Sequence, residues 1–264
     1  MPVLQIIGGG KMGEALLGGL VATGWCAATD LVVVEPDDAR RDSMAAAHPG
    51  VLAVDGPVAS TDAILAVKPD VVPAALGALR QVGPTRVLSI AAGVTLASME
   101  AELGSVPVVR AMPNTPALIG AGAAAIAPGT LAGSEDLDWA EGILGAVGIV
   151  VRVDEAQLDV VTGLSGSGPA YVFALAEALM AAGESQGLEP EVAVALTEAT
   201  LLGAARLLVE SHEPAAVLRA NVTSPGGTTA AGLGVLTEAD FGDLIAAVVA
   251  AATARSVELG QTGK

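Results

Sequence analysis

Residues Val3 to Gly13 read Val-Leu-Gln-Ile-Ile-Gly-Gly-Gly-Lys-Met-Gly. An apolar run containing β-branched residues stops at Gly8, and a helical pattern begins within four residues, so the stretch reads as strand, tight turn and helix start. Few local patterns restrict a fold more. Gly8, Gly10 and Gly13 have the spacing of a dinucleotide turn, in which the first glycine makes the turn, the second admits a pyrophosphate and the third lets helix pack on strand. The anion would rest on the first N–H groups of the helix, which have no carbonyl one turn back. A glycine turn in some other doubly wound domain has the same spacing.

The following residues favour the dinucleotide reading. Met12, Leu16, Gly19, Leu20 and Thr23 mark one helix face, Gly24 is a stop signal, and Leu31 to Val34 form a second strand ending in Glu35. Glu35 lies 22 residues after Gly13, where an acidic side chain meets the ribose hydroxyls in such folds. Further strands are expected near 51–54, 63–67, 86–91, 107–111, 123–127 and 149–153, with helices between several of them. Such alternation predicts a mainly parallel sheet of Rossmann type. Beyond Asp154 only helices are expected, over 169–182, 190–210, 214–220, 228–237 and 240–259. Residues 1–157 are therefore read as a dinucleotide-binding domain and 158–264 as a helical one. The helix over 192–209 is apolar nearly all round, which one such domain cannot easily bury and which points to subunit packing.

Composition removes several function classes. A formal charge of −17 and five aromatic residues in 264 leave neither a basic face nor a stacking platform for nucleic acid. One cysteine and two histidines exclude an internal disulfide and any Cys- or His-rich metal site. The expectation is a cytoplasmic protein with no signal peptide and no stretch suited to a membrane span.

Ligands of an open parallel sheet bind beyond the carboxyl ends of its strands. Three segments fall there: Ala66-Val67-Lys68-Pro69, Ala91-Ala92-Gly93-Val94 and Met112-Pro113-Asn114-Thr115-Pro116. Two of the three lysines, Lys11 and Lys68, lie at predicted strand ends, although a snorkelling surface role would also suit Lys68. In the helical half, Leu164-Ser165-Gly166-Ser167-Gly168-Pro169 reads as a glycine-rich approach to a helix. Thr223-Ser224-Pro225-Gly226-Gly227-Thr228-Thr229 reads as a nest of N–H groups ending in an N-cap threonine, a site for a small carboxylate. A capped helix start without a ligand fits the same spacing.

Together these segments carry a resemblance. Gly163 to Tyr171 and Val222 to Thr229, with 66–69, 91–95 and 112–116, closely resemble the signatures of pyrroline-5-carboxylate reductase, in order along essentially the whole chain. The resemblance implies reduction of 1-pyrroline-5-carboxylate to L-proline by NADPH or NADH, the last step of proline synthesis. It implies a helical domain that forms homodimers and, in the family, often decamers. It assigns the ring nitrogen to Thr229 and the carboxylate to Ser224 and Thr228. Gly226, Gly227 and Glu210 become substrate contacts. Gly8, Gly10, Lys11, Met12, Gly13, Glu35, Ala66, Val67, Lys68, Pro69, Ala91, Ala92, Gly93, Asn114 and Asn221 become cofactor contacts, with no metal. A β-hydroxyacid dehydrogenase shares the domain order, but its catalytic lysine has no counterpart between Lys68 and Lys264. A dinucleotide-binding protein without turnover remains the alternative from another class. Glu35, Asp37 and Asp38 should repel a 2′-phosphate, while Arg40 or Arg41 could pair with one. The expectation is use of both cofactors, with NADH at least competitive.

Overall fold

The computed structural model describes residues 3–59 and 62–262. Eight strands form one sheet: β1 (Leu4–Ile7), β2 (Leu31–Val34), β3 (Leu52–Val54), β4 (Asp62–Leu65), β5 (Arg86–Ser89), β6 (Val108–Met112), β7 (Gly122–Pro128) and β8 (Gly148–Arg152). Their spatial order is β3-β2-β1-β4-β5-β6-β7-β8. Every pairing is parallel except β6 with β7, so the last two strands run against the others. The strand order reverses between β1 and β4, which opens a crevice at their carboxyl ends.

Both faces of the sheet are covered, as a parallel sheet requires. Leu4, Ile6, Leu31, Val33, Ile64 and Leu88 share one core with Leu16, Leu17 and Leu20 of α1 (Lys11–Ala22) and Trp139, Ile143 and Leu144 of α5 (Ser134–Gly145). Met44 of α2 (Asp38–Ala47) joins them. Ile7, Val32, Val34, Leu65 and Val87 point the other way. They meet Leu76 and Leu79 of α3 (Val72–Val82) and Met99 and Leu103 of α4 (Leu96–Leu103). The sequence reading lacked α4, which Thr95 caps through its hydroxyl oxygen, accepting from the Ser98 N–H.

After β8 no strand occurs among the described residues. The helices are α6 (Leu158–Val161), α7 (Gly168–Ser185), α8 (Pro190–Ser211), α9 (Ala215–Asn221), α10 (Thr228–Glu238) and α11 (Phe241–Thr262), each near its expected position or, for α6, new. By compactness the chain divides into one unit of Met1–Ser167 with Val249–Lys264 and another of Gly168–Val248. Within the first, Gly163 stands so close to α11 that a Cβ there would lie 2.8 Å from the Val249 carbonyl oxygen, and the Ser256 hydroxyl donates to Asp159 at 2.6 Å. In the second, α7 and α8 pack together but leave Phe173, Leu196, Leu202 and Val209 more than half exposed. The expectation of no stretch suited to a membrane span fails at α8. By length and composition it is apolar enough to cross a membrane, because a long run of Ala, Leu and Val outweighs Glu198, Gly203 and Arg206.

Candidate functional site

The turn after β1 is shaped by what its glycines exclude. Gly8 has φ +108°, and a Cβ on it would lie 2.6 Å from the Ala66 carbonyl oxygen, so only glycine takes this position without strain. A Cβ on Gly13 would lie 2.1 Å from the Gly8 carbonyl oxygen, which fixes how closely α1 sits on the loop. Gly10 differs. A Cβ there would meet nothing within 4 Å, and Gly10 is the N-cap of α1, with extended backbone and no side-chain cap. A helix start of this kind, at the head of a twelve-residue helix and with no side chain over it, fits a pyrophosphate. Lys11 is exposed beside it, and Met12 is half-buried.

Neighbouring strand ends complete the crevice. Register aligns Ile7 with Val34 on one side and Leu65 on the other, so Gly8 lies level with Glu35 and Ala66. The carboxylate of Glu35 accepts from the Gly9 N–H at 3.1 Å and the Asp37 N–H at 3.0 Å. Arg40 donates through Nε to the Gly9 carbonyl at 2.5 Å. Ala66 and Val67 are half-buried, whereas Lys68 and Pro69 are exposed at the start of a single 3₁₀ turn. After β5, Ala91 is buried and Ala92 exposed, and Gly93 has φ +74°. The close approach that Gly93 allows is made by α11: a Cβ there would lie 3.5 Å from the Gly260 nitrogen.

After β6 the amide of Asn114 is bonded on both sides. Its Oδ1 accepts from the Ala123 N–H at 2.8 Å, and its Nδ2 donates to the Ser165 carbonyl at 3.2 Å. Ser165 belongs to a single π turn over Thr162–Gly166, where the Ser167 N–H donates to the Thr162 carbonyl at 2.8 Å. The glycine-rich approach to α7 is thus helical rather than an open loop, because Gly163 and Gly166 let it pack against α11 and Met112. Such turns often accompany functional sites. Two partly buried links went unread in the sequence. Arg110, 6% exposed, pairs with Glu155 at 2.8 Å, and Glu155 also accepts from the Leu96 N–H at 2.7 Å. Gln5, wholly buried, exchanges two hydrogen bonds with the Val58 backbone. Arginine at an otherwise apolar strand end was the one available signal for the first; nothing in the sequence marks the second.

In the second unit, Ser224, Gly226, Thr228 and Thr229 are exposed and lie together at the start of α10. The N-cap is Gly227, not a threonine, and Thr228 and Thr229 occupy the first helical turn. A Cβ on Gly227 would meet the Ser224 Oγ at 2.3 Å, so this glycine lets the serine hydroxyl lie against the backbone. Asn221 closes α9 and is exposed. Glu210, also exposed, pairs with Arg206 one helical turn earlier. A cavity of about 670 Å³ lined by Arg219, Leu233, Asp240 and Phe241 includes none of these residues. Among the described residues no cluster of His, Cys, Asp and Glu could hold a metal ion. Cys26, partly buried near Asp30, has its thiol pKa raised by burial and then by that carboxylate.

A family model described as pyrroline-5-carboxylate reductase dimerisation matches residues 155–259, and one described as NADP oxidoreductase coenzyme F420-dependent matches 3–93. A pyrroline-5-carboxylate reductase of Synechocystis is 43% identical over 263 residues, covering 98% of each chain. One of Mycobacterium tuberculosis is 40% identical, covering 98% of this chain and 97% of its own. The pyrroline-5-carboxylate reductase structure from Coxiella burnetii superimposes with a TM-score of 0.92 at 36% identity, covering 98% of both chains. That of Plasmodium falciparum with NADP bound gives 0.86 at 28% identity, with the same coverage.

Proposed function

Because the chain belongs to the pyrroline-5-carboxylate reductase family, we propose that it reduces 1-pyrroline-5-carboxylate to L-proline with NADPH or NADH, the final step of proline synthesis. What supports this reading is that one unit carries an open cradle at Gly10 and the other an exposed, glycine-backed hydroxyl cluster at Ser224–Thr229. The first suits a pyrophosphate and the second a small carboxylate.

Gly8, Gly10, Lys11, Met12 and Gly13 would hold the dinucleotide phosphates. Glu35, the 66–69 and 91–93 segments, Asn114 and Asn221 would border the rest of the molecule. The bound nucleotide supplies a hydride. Ser224, Thr228 and the N–H groups of Gly226 and Gly227 would orient the substrate carboxylate, and the Thr229 hydroxyl would meet the ring nitrogen, with Glu210 nearby in this reading. A cyclic imine can arrive already protonated at nitrogen, and the chain then need not provide the general acid that a carbonyl reduction demands. Its residues then act by positioning and by excluding misaligned approaches.

Residues 158–264 serve in this reading as the substrate-binding and dimerisation domain. The match of 155–259 to the dimerisation family and the exposed apolar faces of α7 and α8 support a homodimer. A decamer built from such dimers, and a cytoplasmic location compatible with the single cysteine, extend the proposal.

The test is to follow the absorbance of reduced cofactor after adding the cyclic imine. Oxidation should require both compounds and yield proline. Thr229→Val and Ser224→Ala should each raise KM for the imine by about tenfold, the scale of one lost hydrogen bond to a charged group, while leaving the cofactor Kd unchanged. An inert mixture, or variants that weaken only the nucleotide, would refute the assignment.

A further inference from the structure

Residues 35–41, at the end of β2, include five charged side chains, Glu35, Asp37, Asp38, Arg40 and Arg41, and their hydrogen bonds show which are held in place. Glu35 is fixed. Its side chain is 14% exposed and both carboxylate oxygens accept from main-chain N–H groups, Oε2 from Gly9 and Oε1 from Asp37. Gly9 makes this possible, since a Cβ there would lie 3.1 Å from Glu35 Oε2 and 2.3 Å from Met44 Sδ. Arg41 is also committed: it donates to the Glu35 and Pro36 carbonyls at 2.8 and 3.3 Å and pairs with Asp38. Arg40 donates through Nε to the Gly9 carbonyl and stands 3.9 Å from Glu35.

From this arrangement we infer that Glu35 is a specificity-determining residue that selects NADH over NADPH. The inference rests on the reading that residues 8–13 hold a nicotinamide dinucleotide. A carboxylate at this strand end is an acceptor for the paired ribose hydroxyls. A 2′-phosphate placed there brings like charge against like charge. Glu35 cannot turn aside without releasing two N–H groups, one of them in the phosphate loop itself. Asp37 and Asp38 add to the repulsion, and the guanidinium that would offset it on Arg41 is spent on carbonyls and on Asp38. Both the Plasmodium falciparum enzyme with NADP bound and the NADP oxidoreductase family matched by residues 3–93 point the other way, which makes the prediction specific to this chain.

The experiment is direct titration of the full-length protein with NADH and with NADPH, read by calorimetry or by fluorescence of the reduced ring, without substrate. Wild type should bind NADH at least about tenfold more tightly, the scale of one unrelieved charge contact. Glu35→Gln, which removes the charge and turns one of the two acceptor oxygens into a donor, should lower the preference for NADH over NADPH, read as the ratio of the two constants, at least about tenfold. Equal or tighter binding of NADPH by wild type overturns the inference and leaves the dinucleotide reading intact. Failure of wild type to bind either nucleotide overturns both.

Discussion

Three glycines of one loop do three different jobs, and single-residue changes separate them. A methyl group on Gly13 would meet the Gly8 carbonyl at 2.1 Å, so Gly13→Ala forces α1 off the loop. Overpacking of this kind costs about 1–3 kcal/mol, a fall in Tm of several degrees in thermal unfolding. Gly10 faces open space, so Gly10→Val should cost no more than a poorer N-cap does and lower Tm by under about 4 °C. It should nevertheless raise the Kd for reduced nicotinamide nucleotide at least about tenfold by filling the phosphate cradle. A Gly10→Val protein that binds nucleotide normally would show that the cradle is not the phosphate site. Both roles are written in the spacing of the sequence, but the clamp of Gly9 N–H on Glu35 is not, because it depends on a side chain 26 residues away.

Among the elements, the π turn at Thr162–Gly166 shows where sequence patterns run out. The glycines and serines there read as a loop, since small polar residues favour turns. They are helical because Gly163 must admit α11 and Gly166 must admit Met112. The two contacts differ in kind. A Cβ on Gly163 meets the Val249 carbonyl and the Thr253 nitrogen, at 2.8 and 3.1 Å, whereas one on Gly166 meets the flexible end of Met112. Gly163→Ala is therefore expected to lower stability by about 1–3 kcal/mol and Gly166→Ala by under about 1 kcal/mol, measured by denaturant unfolding. Comparable losses would mean that the turn is not held by α11. The parallel strands were legible because buried β-branched runs between helices leave few alternatives. Helix α4 and the Arg110–Glu155 link were not, being settled by tertiary packing and by a charge pair that spans 45 residues.

For the whole molecule, the apolar face of α8 is the feature that a single chain leaves unexplained. Leu196, Leu202 and Val209 are each more than half exposed, and the family that residues 155–259 match is a dimerisation family. If the proposed homodimer forms through this face, Leu202→Glu should leave a monomer in light scattering and make Tm lower at every concentration, since burying a carboxylate in that contact is unfavourable. A variant that keeps wild-type mass would place the contact elsewhere. Hydride delivery to the imine carbon is the step on which the proposed activity rests. The decisive measurement supplies reduced nicotinamide nucleotide carrying deuterium at the transferring position, adds 1-pyrroline-5-carboxylate, and weighs the product by mass spectrometry. Proline heavier by one mass unit, with the label on the former imine carbon, is the predicted result. Proline without the label, or no proline while the nucleotide is bound, would contradict it.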